Sequence, residues 1–101
     1  MELKDKIEEL FTRDTFGDDD RAVYEDFKTA LRGGEIRSAE KGADGVWRAN
    51  TWVKQGILLG FRMGKMVEIS MPTETFKFFD KDTFPLRPMS LDDGVRIVIG
   101  G

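Results

Sequence analysis

The stretch "WVKQGILLGFRM", residues 52–63, predicts a helix over about residues 52–62 that is apolar around almost its whole circumference. At 100° per residue, Lys54, Gln55 and Arg62 define one polar arc, and Leu58 falls inside that arc. Such a helix must be buried on most sides. A chain of 101 residues can build only one modest core, so the rest of the sequence must be judged as cover for this helix.

Two amphipathic helices precede the apolar helix and are its predicted cover. The first spans about residues 2–13, where apolar residues recur at i, i+4, i+7 and i+8. The second spans about residues 21–31, after the acidic stretch "TFGDDD" and before Gly33-Gly34, which are typical helix-start and helix-end signals. Their predicted buried stripes are Leu3, Ile7, Leu10 and Phe11 in the first, and Ala22, Val23, Phe27, Ala30 and Leu31 in the second.

A β-hairpin is predicted over about residues 35–50, with "GADG" as a four-residue turn and Lys41 opposite Val46. On this register one face carries Ile36, Ser38, Glu40, Trp47, Ala49 and Thr51. The other face carries Arg37, Lys41 and Arg48. This basic face has two interpretations, a solvated surface or a patch that meets carboxylates or phosphates.

The start and the glycines of the apolar helix carry further predictions. Asn50 or Thr51 is expected to cap it. Gly56 and Gly60 lie four residues apart on one side, which lets another element approach the backbone closely. Leu58, on the polar arc, indicates a contact with another domain or subunit.

Residues 66–101 follow neither period well and predict an extended, anchored arm that opens with a weak strand at "MVEIS". Three prolines keep helix out of most of it. The run from Val95 to Ile99 is strand-like, and we expect it to continue into a surface that the chain does not supply. The predicted anchors of the arm are Phe76, Phe78, Phe79 and Phe84.

Composition excludes the commonest catalytic centres. The chain has no histidine and no cysteine, which removes histidine-based triads, thiolate chemistry and histidine-ligated zinc. A net charge of −3 gives no electrostatic reason to expect nucleic acid, and no apolar run approaches the length of a membrane span. Periodicity and composition therefore predict a single cytoplasmic α+β domain over residues 1–101, mostly helical, with no catalytic or metal-binding residue assigned.

An ordered set of residues carries a resemblance to a known family. The stretch "LRGGEIRSAEKGADGVWRANTWVKQGILLGFRM", residues 31–63, resembles the N-terminal domain of tetrahydrodipicolinate N-succinyltransferase. Downstream, "FFDKDTFP" and "GVRIV" are similar to later segments of the family. The positions that match are Arg37, Ala39, Glu40, Lys41, Gly45, Trp47, Trp52, Val53, Lys54, Phe61 and Arg62, with Phe79, Asp80 and Lys81 downstream.

The resemblance implies a fold, an activity and partners. Members of the family are homotrimers of left-handed parallel β-helices, each preceded by a small mostly helical domain. They move succinyl from succinyl-CoA, a co-substrate, to the amino group of 2-amino-6-oxopimelate in diaminopimelate and lysine biosynthesis. The chain would then be the substrate-side domain, with the β-helix and neighbouring subunits as partners and no cofactor bound by the chain itself.

The same resemblance implies one site residue. The arginine of the family's "R-[VI]-V" segment contacts the dicarboxylate substrate, and the matching position here is Arg96. A guanidinium suits this role because it can grip a carboxylate through two parallel hydrogen bonds. The other interpretation is that Arg96 only faces solvent.

Two further functions stay open beside the enzyme domain. One is a stand-alone interaction module, and the other is a dicarboxylate-binding module that uses Arg96 with the basic hairpin face. The 101 residues contain none of the family's hexapeptide repeats, so we expect the chain alone to be inactive.

Overall fold

The computed structural model describes residues 1–70 and 77–98 of the chain. In order, the helices are α1, Leu3–Phe11, α2, Asp18–Arg32, and α3, Thr51–Met63. Strands β1, Ala39–Lys41, and β2, Trp47–Ala49, form one antiparallel hairpin, and β3, Met66–Ser70, and β4, Lys77–Lys81, form a second. A short 3-10 turn spans Leu91–Asp93. The α+β class and the three helices are as predicted.

The core lies between the three helices, and α3 packs against both α1 and α2. Its fully buried apolar members are Ile7, Leu10, Tyr24, Phe27, Val53 and Leu59. The predicted stripe of α1 is confirmed, since Leu3 and Phe11 also pack against this core. The predicted stripe of α2 is partly wrong, because Tyr24 is buried and Ala22 is exposed.

Helix α2 begins three residues earlier than predicted. Gly17 is its N-cap residue, and the Gly17 N–H donates to the Asp20 carboxylate at 2.8 Å. The three aspartates therefore form the first turn, where the helix dipole stabilises negative charge. At the other end Gly34 adopts a φ of +78°, and Glu35 N–H donates back to Ala30 O, which confirms the predicted glycine stop.

The glycines of α3 allow the aromatic rings of α2 to touch its backbone. A Cβ built on Gly56 would lie 2.5 Å from Cε1 of Phe27, closer than real atoms come. A Cβ on Gly60 would lie 2.6 Å from Cζ of Phe84 and would also overlap the Tyr24 phenol. The predicted close approach at both glycines is therefore confirmed.

The first hairpin has a different register from the one predicted. Lys41 pairs with Trp47, not with Val46, and Glu40 pairs with Arg48. The reason is the turn: Gly45, at φ +81°, sits in the left-handed region as the third residue of a three-residue loop, so that Gly42 N–H reaches Val46 O at 2.9 Å. The loop is thus one residue shorter than the predicted four-residue turn, which shifts every pair by one.

The hairpin also covers less than expected. Every residue of β1 and β2 is exposed, and only the stem contributes to the core, through Ile36. The stem is held to the start of α3 by Asn50, whose side-chain Nδ2 donates to Arg37 O at 2.6 Å. Asn50 is the N-cap residue of α3 by position, but its side chain braces the hairpin instead of capping the helix.

The arm predicted over residues 66–101 is wrong in its first part, because β3 and β4 pair as a hairpin. "MVEIS" is a strand as predicted. Of the predicted anchors, Phe84 packs on the helices, whereas Phe78 and Phe79 are 49% and 64% exposed. Phe76 lies outside the described residues. The radius of gyration is 16.6 Å, against about 13 Å for a compact domain of this length, so the two hairpins extend away from the helices.

We predict that Gly56→Ala destabilises the chain. Alanine gains about 1 kcal/mol of helix propensity, but overpacking against the Phe27 ring costs about 1–3 kcal/mol, and we expect a net loss. Chemical denaturation monitored by circular dichroism measures it. The matched control is Lys54→Ala on the exposed side of α3, which should change the stability by less than about 0.5 kcal/mol.

The cause is tested with Phe27→Leu as a second change. If the ring is the obstacle, Gly56→Ala must cost less in the Phe27→Leu background than in the native one. An equal cost in both backgrounds would show that the ring does not fix this position.

Candidate functional site

Arg96 lies in the exposed segment that follows the 3-10 turn. Two local features stabilise the turn. The Ser90 N–H donates to the Asp93 carboxylate at 2.7 Å, and Gly94 ends the turn in the left-handed conformation, with φ +67°. The run from Val95 to Ile99 was predicted as a strand, and this is wrong for residues 95–98, which pair with no strand of the described part, while Ile99 lies outside the described residues.

An open concavity surrounds Arg96. Its walls are mainly apolar, and they come from the turn and from the residues beside Arg96, namely Met89, Ser90, Leu91, Val95 and Ile97. Within residues 1–70 and 77–98, none of the ion pairs uses Arg96. The guanidinium is thus available to an external carboxylate, with apolar surface beside it for an aliphatic chain.

The segment that carries Arg96 is attached to the helices by Thr83 and its neighbours. Thr83 is fully buried, and its hydroxyl donates to Gly60 O of α3 at 2.6 Å. Its own carbonyl accepts from Lys28 Nζ of α2 at 2.9 Å. The ring of Phe84 then packs on Phe61 at a centroid distance of 4.8 Å. We call residues 82–84 the anchor.

Asp82 is the charged member of the anchor. Its carboxylate accepts from Lys65 N–H at 3.0 Å, and its N–H donates to Lys65 O at 2.8 Å. It also lies 3.4 Å from the Arg21 guanidinium of α2. The hydrogen bond from Lys65, helped by the charge of Arg21, lowers the pKa of Asp82 below its usual value.

Sequence patterns predicted Phe84 but missed Asp82 and Thr83. Thr83 is polar and belongs to no periodic stripe, and its partners lie 23 and 55 residues away in the sequence. The signal that predicted Phe84 is its aromatic side chain in a segment without helical or strand periodicity. That signal does not identify a buried threonine.

The basic hairpin face is not formed. Pairing places Lys41 beside Trp47 on one face and Arg48 beside Glu40 on the other. Arg48 instead makes a two-pronged ion pair with Asp44, at 2.6 and 3.1 Å, and this pair lowers the pKa of Asp44. The prediction of a patch of Arg37, Lys41 and Arg48 is therefore wrong, because it depended on the register. The hairpin instead presents an exposed indole, since Trp47 is 66% exposed.

The other residues that carried the resemblance have mainly structural roles. Trp52 packs edge-on against Phe27 at 6.0 Å between ring centroids. Arg62 donates to the carbonyl oxygens of Phe11 and Arg13, so it closes the end of α1. Among the described residues, no group of acidic side chains could hold a metal ion, and no helix has the length and apolarity needed to cross a membrane.

Comparison with known proteins places the chain. Residues 2–63, which include the three helices and the first hairpin, match the family model described as tetrahydrodipicolinate N-succinyltransferase N-terminal. The chain belongs to this family. The predicted resemblance is confirmed over this range, and the second hairpin, the anchor and Arg96 lie beyond it.

Curated relatives agree with the family. A 2,3,4,5-tetrahydropyridine-2,6-dicarboxylate N-succinyltransferase of Ruegeria pomeroyi is 50% identical over 46 residues, which are 46% of this chain and 17% of that protein. The protein of the same name from Jannaschia sp. is 48% identical over 46 residues, with the same shares. That of Brucella ovis is 39% identical over 61 residues, 60% of this chain and 22% of the relative. The chain thus matches about a fifth of the length of these relatives.

The lowered pKa of Asp82 predicts an acid-dependent loss of stability. The contribution of Asp82 is complete above the usual carboxyl pKa of 3.8 and is lost as the pH falls through its lower pKa in the folded chain. Asp82→Asn removes the charge. We expect the melting temperature of the native chain to exceed that of the variant at about pH 7 and to converge with it at about pH 2.

The control is Asp80→Asn, because the bond that Asp80 makes within the described residues is a local one, from the N–H of the next residue, Lys81, at 2.7 Å. The change in melting temperature between the two pH values should be larger for Asp82→Asn than for Asp80→Asn, each relative to the native chain. Parallel melting curves of Asp82→Asn and Asp80→Asn would contradict the assignment.

Proposed function

We propose that the chain is the N-terminal, substrate-side domain of a cytoplasmic acyltransferase that moves succinyl from succinyl-CoA to the amino group of 2-amino-6-oxopimelate, in diaminopimelate and lysine biosynthesis. The observation that carries the proposal is the family match over residues 2–63 together with relatives that bear the name of this enzyme. The exposed Arg96 with its apolar surroundings supports the substrate role.

In this reaction the substrate amine attacks the thioester carbonyl, a C–N bond forms, the C–S bond breaks, and CoA leaves as the thiol while the amine loses a proton. The domain contributes binding and orientation. Arg96 holds one carboxylate of the dicarboxylate through two hydrogen bonds, which fixes a flexible substrate in one orientation. In this proposal, succinyl-CoA and the proton-accepting base belong to the β-helix domain and to neighbouring subunits of a homotrimer.

The anchor gives Arg96 a defined starting point. Five long-range hydrogen bonds hold residues 82 and 83 against α2, α3 and Lys65. The segment from there to Arg96 is exposed in the described chain, and the apolar side chains beside Arg96, those of Val95 and Ile97, would pack against the β-helix domain. Arg96 would then be presented at the boundary between the two domains.

The role of Arg96 is tested in a full-length protein in which these 101 residues replace the matching domain of the Ruegeria pomeroyi relative. We expect Arg96→Ala to raise the KM for the dicarboxylate about 10–100-fold, since a hydrogen bond to a charged group contributes about 1.5–3 kcal/mol. The KM for succinyl-CoA should not change, and Arg96→Lys should restore only part of the loss.

Arg87→Ala is the control, because Arg87 is a second exposed arginine of the same segment, 4.0 Å from Asp93. It should leave both KM values within about twofold of the native ones. An unchanged dicarboxylate KM in Arg96→Ala would refute the substrate role of Arg96.

A second prediction concerns the 101-residue chain by itself. Without acyl-donor contacts we expect no thiol release from succinyl-CoA in the presence of the dicarboxylate, whereas the full-length protein turns over under the same conditions. Turnover by the chain alone would show that the succinyl-CoA site and the proton-accepting base do not belong to the β-helix domain and neighbouring subunits. Calorimetric titration of the dicarboxylate into the chain tests the alternative of a dicarboxylate-binding module, and a flat trace counts against that alternative.

A further inference from the structure

A groove between α2 and α3 combines an apolar floor with a positively charged rim. Its volume is about 250 Å³. The floor is formed by Tyr24, Phe27, Leu31, Ile57 and Phe84. The rim carries two cations one helical turn apart, Lys28 and Arg32. Small-molecule pockets typically measure about 300–1,000 Å³, so this groove has the size for one or two apolar side chains.

The two cations differ in their availability. Lys28 already donates to Thr83 O at 2.9 Å and lies 3.3 Å from the Glu25 carboxylate. Arg32 is exposed at the end of α2, and no ion pair among the described residues includes it. The groove therefore favours an apolar side chain with a carboxylate beside it, placed on the Arg32 side.

The chain itself displays a segment with this chemistry. Leu91 is 98% exposed, the largest value among the big apolar side chains of the described residues. It is followed directly by Asp92 and Asp93. Asp93 is already engaged with Ser90 N–H, but Asp92 takes part in none of the ion pairs of the described residues. Leu91 does not fill the groove of its own chain, since its side chain lies in solvent.

We propose that the α2–α3 groove of one copy receives the Leu91-Asp92 segment of a second copy, with Leu91 on the aromatic floor and Asp92 paired with Arg32. The two surfaces differ, so the contact is head-to-tail, and repetition closes a ring or extends a chain. A contact of this size is weak, with a dissociation constant of about 0.1–1 mM. Leu91 also lines the concavity beside Arg96, but the contact does not use the Arg96 guanidinium and is tested without substrate, so its failure would leave the proposed role of Arg96 in acyl transfer untouched.

The test is sedimentation velocity of the 101-residue chain over a concentration series that spans this range, without substrate. The native chain should associate, and Leu91→Ala, Arg32→Glu and Asp92→Arg should each weaken association by at least about tenfold. Two matched controls, Leu86→Ala and Arg37→Glu, change an exposed leucine and an exposed arginine outside the contact and should associate like the native chain. Circular dichroism melts confirm that each variant is folded.

Mixing two variants tests whether Arg32 of one copy pairs with Asp92 of another. The Asp92→Arg copy keeps an intact groove, and the Arg32→Glu copy keeps an intact Leu91-Asp92 segment. An equimolar mixture should therefore associate like the native chain although neither variant does so alone. A native chain that stays monomeric throughout the series, or a mixture that stays dissociated, would overturn the proposal.

Discussion

The contact on which the rest of the structure depends is the close approach of aromatic rings to the glycine side of α3. Phe27 lies over Gly56, and Tyr24 and Phe84 lie over Gly60, where any side chain would collide. Burying this apolar helix normally needs several neighbouring elements, and the chain has few. Because the rings reach the backbone itself, α1, α2 and Phe84 cover most of it and leave Leu58 and Phe61 exposed.

The same turn of α3 also holds the second half of the chain. Gly60 O accepts the Thr83 hydroxyl while the Gly60 face receives the rings of Tyr24 and Phe84. Burial of Tyr24 in this contact raises its pKa to about 12, so the phenol stays neutral and can lie against apolar surface. A single turn thus connects the helical core with the segment that leads to Arg96.

The elements that sequence could predict are those with local signals. The helices were predicted from the helical spacing of apolar residues within each one, for example Ile7 and Leu10 in α1. The end of α2 was predicted from its glycines, of which Gly34 has a positive φ. The predictions that were wrong or incomplete depended on the backbone conformation of a single residue or on contacts between residues far apart in the sequence. The left-handed Gly45 shifted the hairpin register and removed the basic face, and the burial of Thr83 is set by partners 23 or more residues away. The position of Arg96 came from resemblance, and no periodicity points to it.

The buried helical core provides stability, whereas the exposed apolar surface of the hairpins and of the segment around Arg96 is available for recognition. The helices bury most of their apolar residues within the chain, although Leu58 and Phe61 of α3 stay exposed, and both hairpins and the segment around Arg96 leave more large apolar side chains in water. Two-stranded hairpins are marginal by themselves, yet the first is braced by the Asp44–Arg48 pair and by Asn50, and the second by Asp82. These polar contacts stabilise the backbone of each hairpin without burying its apolar side chains. The large apolar side chains of these hairpins therefore stay accessible on a braced backbone, and exposed apolar surface of this kind is typical of contact with another domain or subunit.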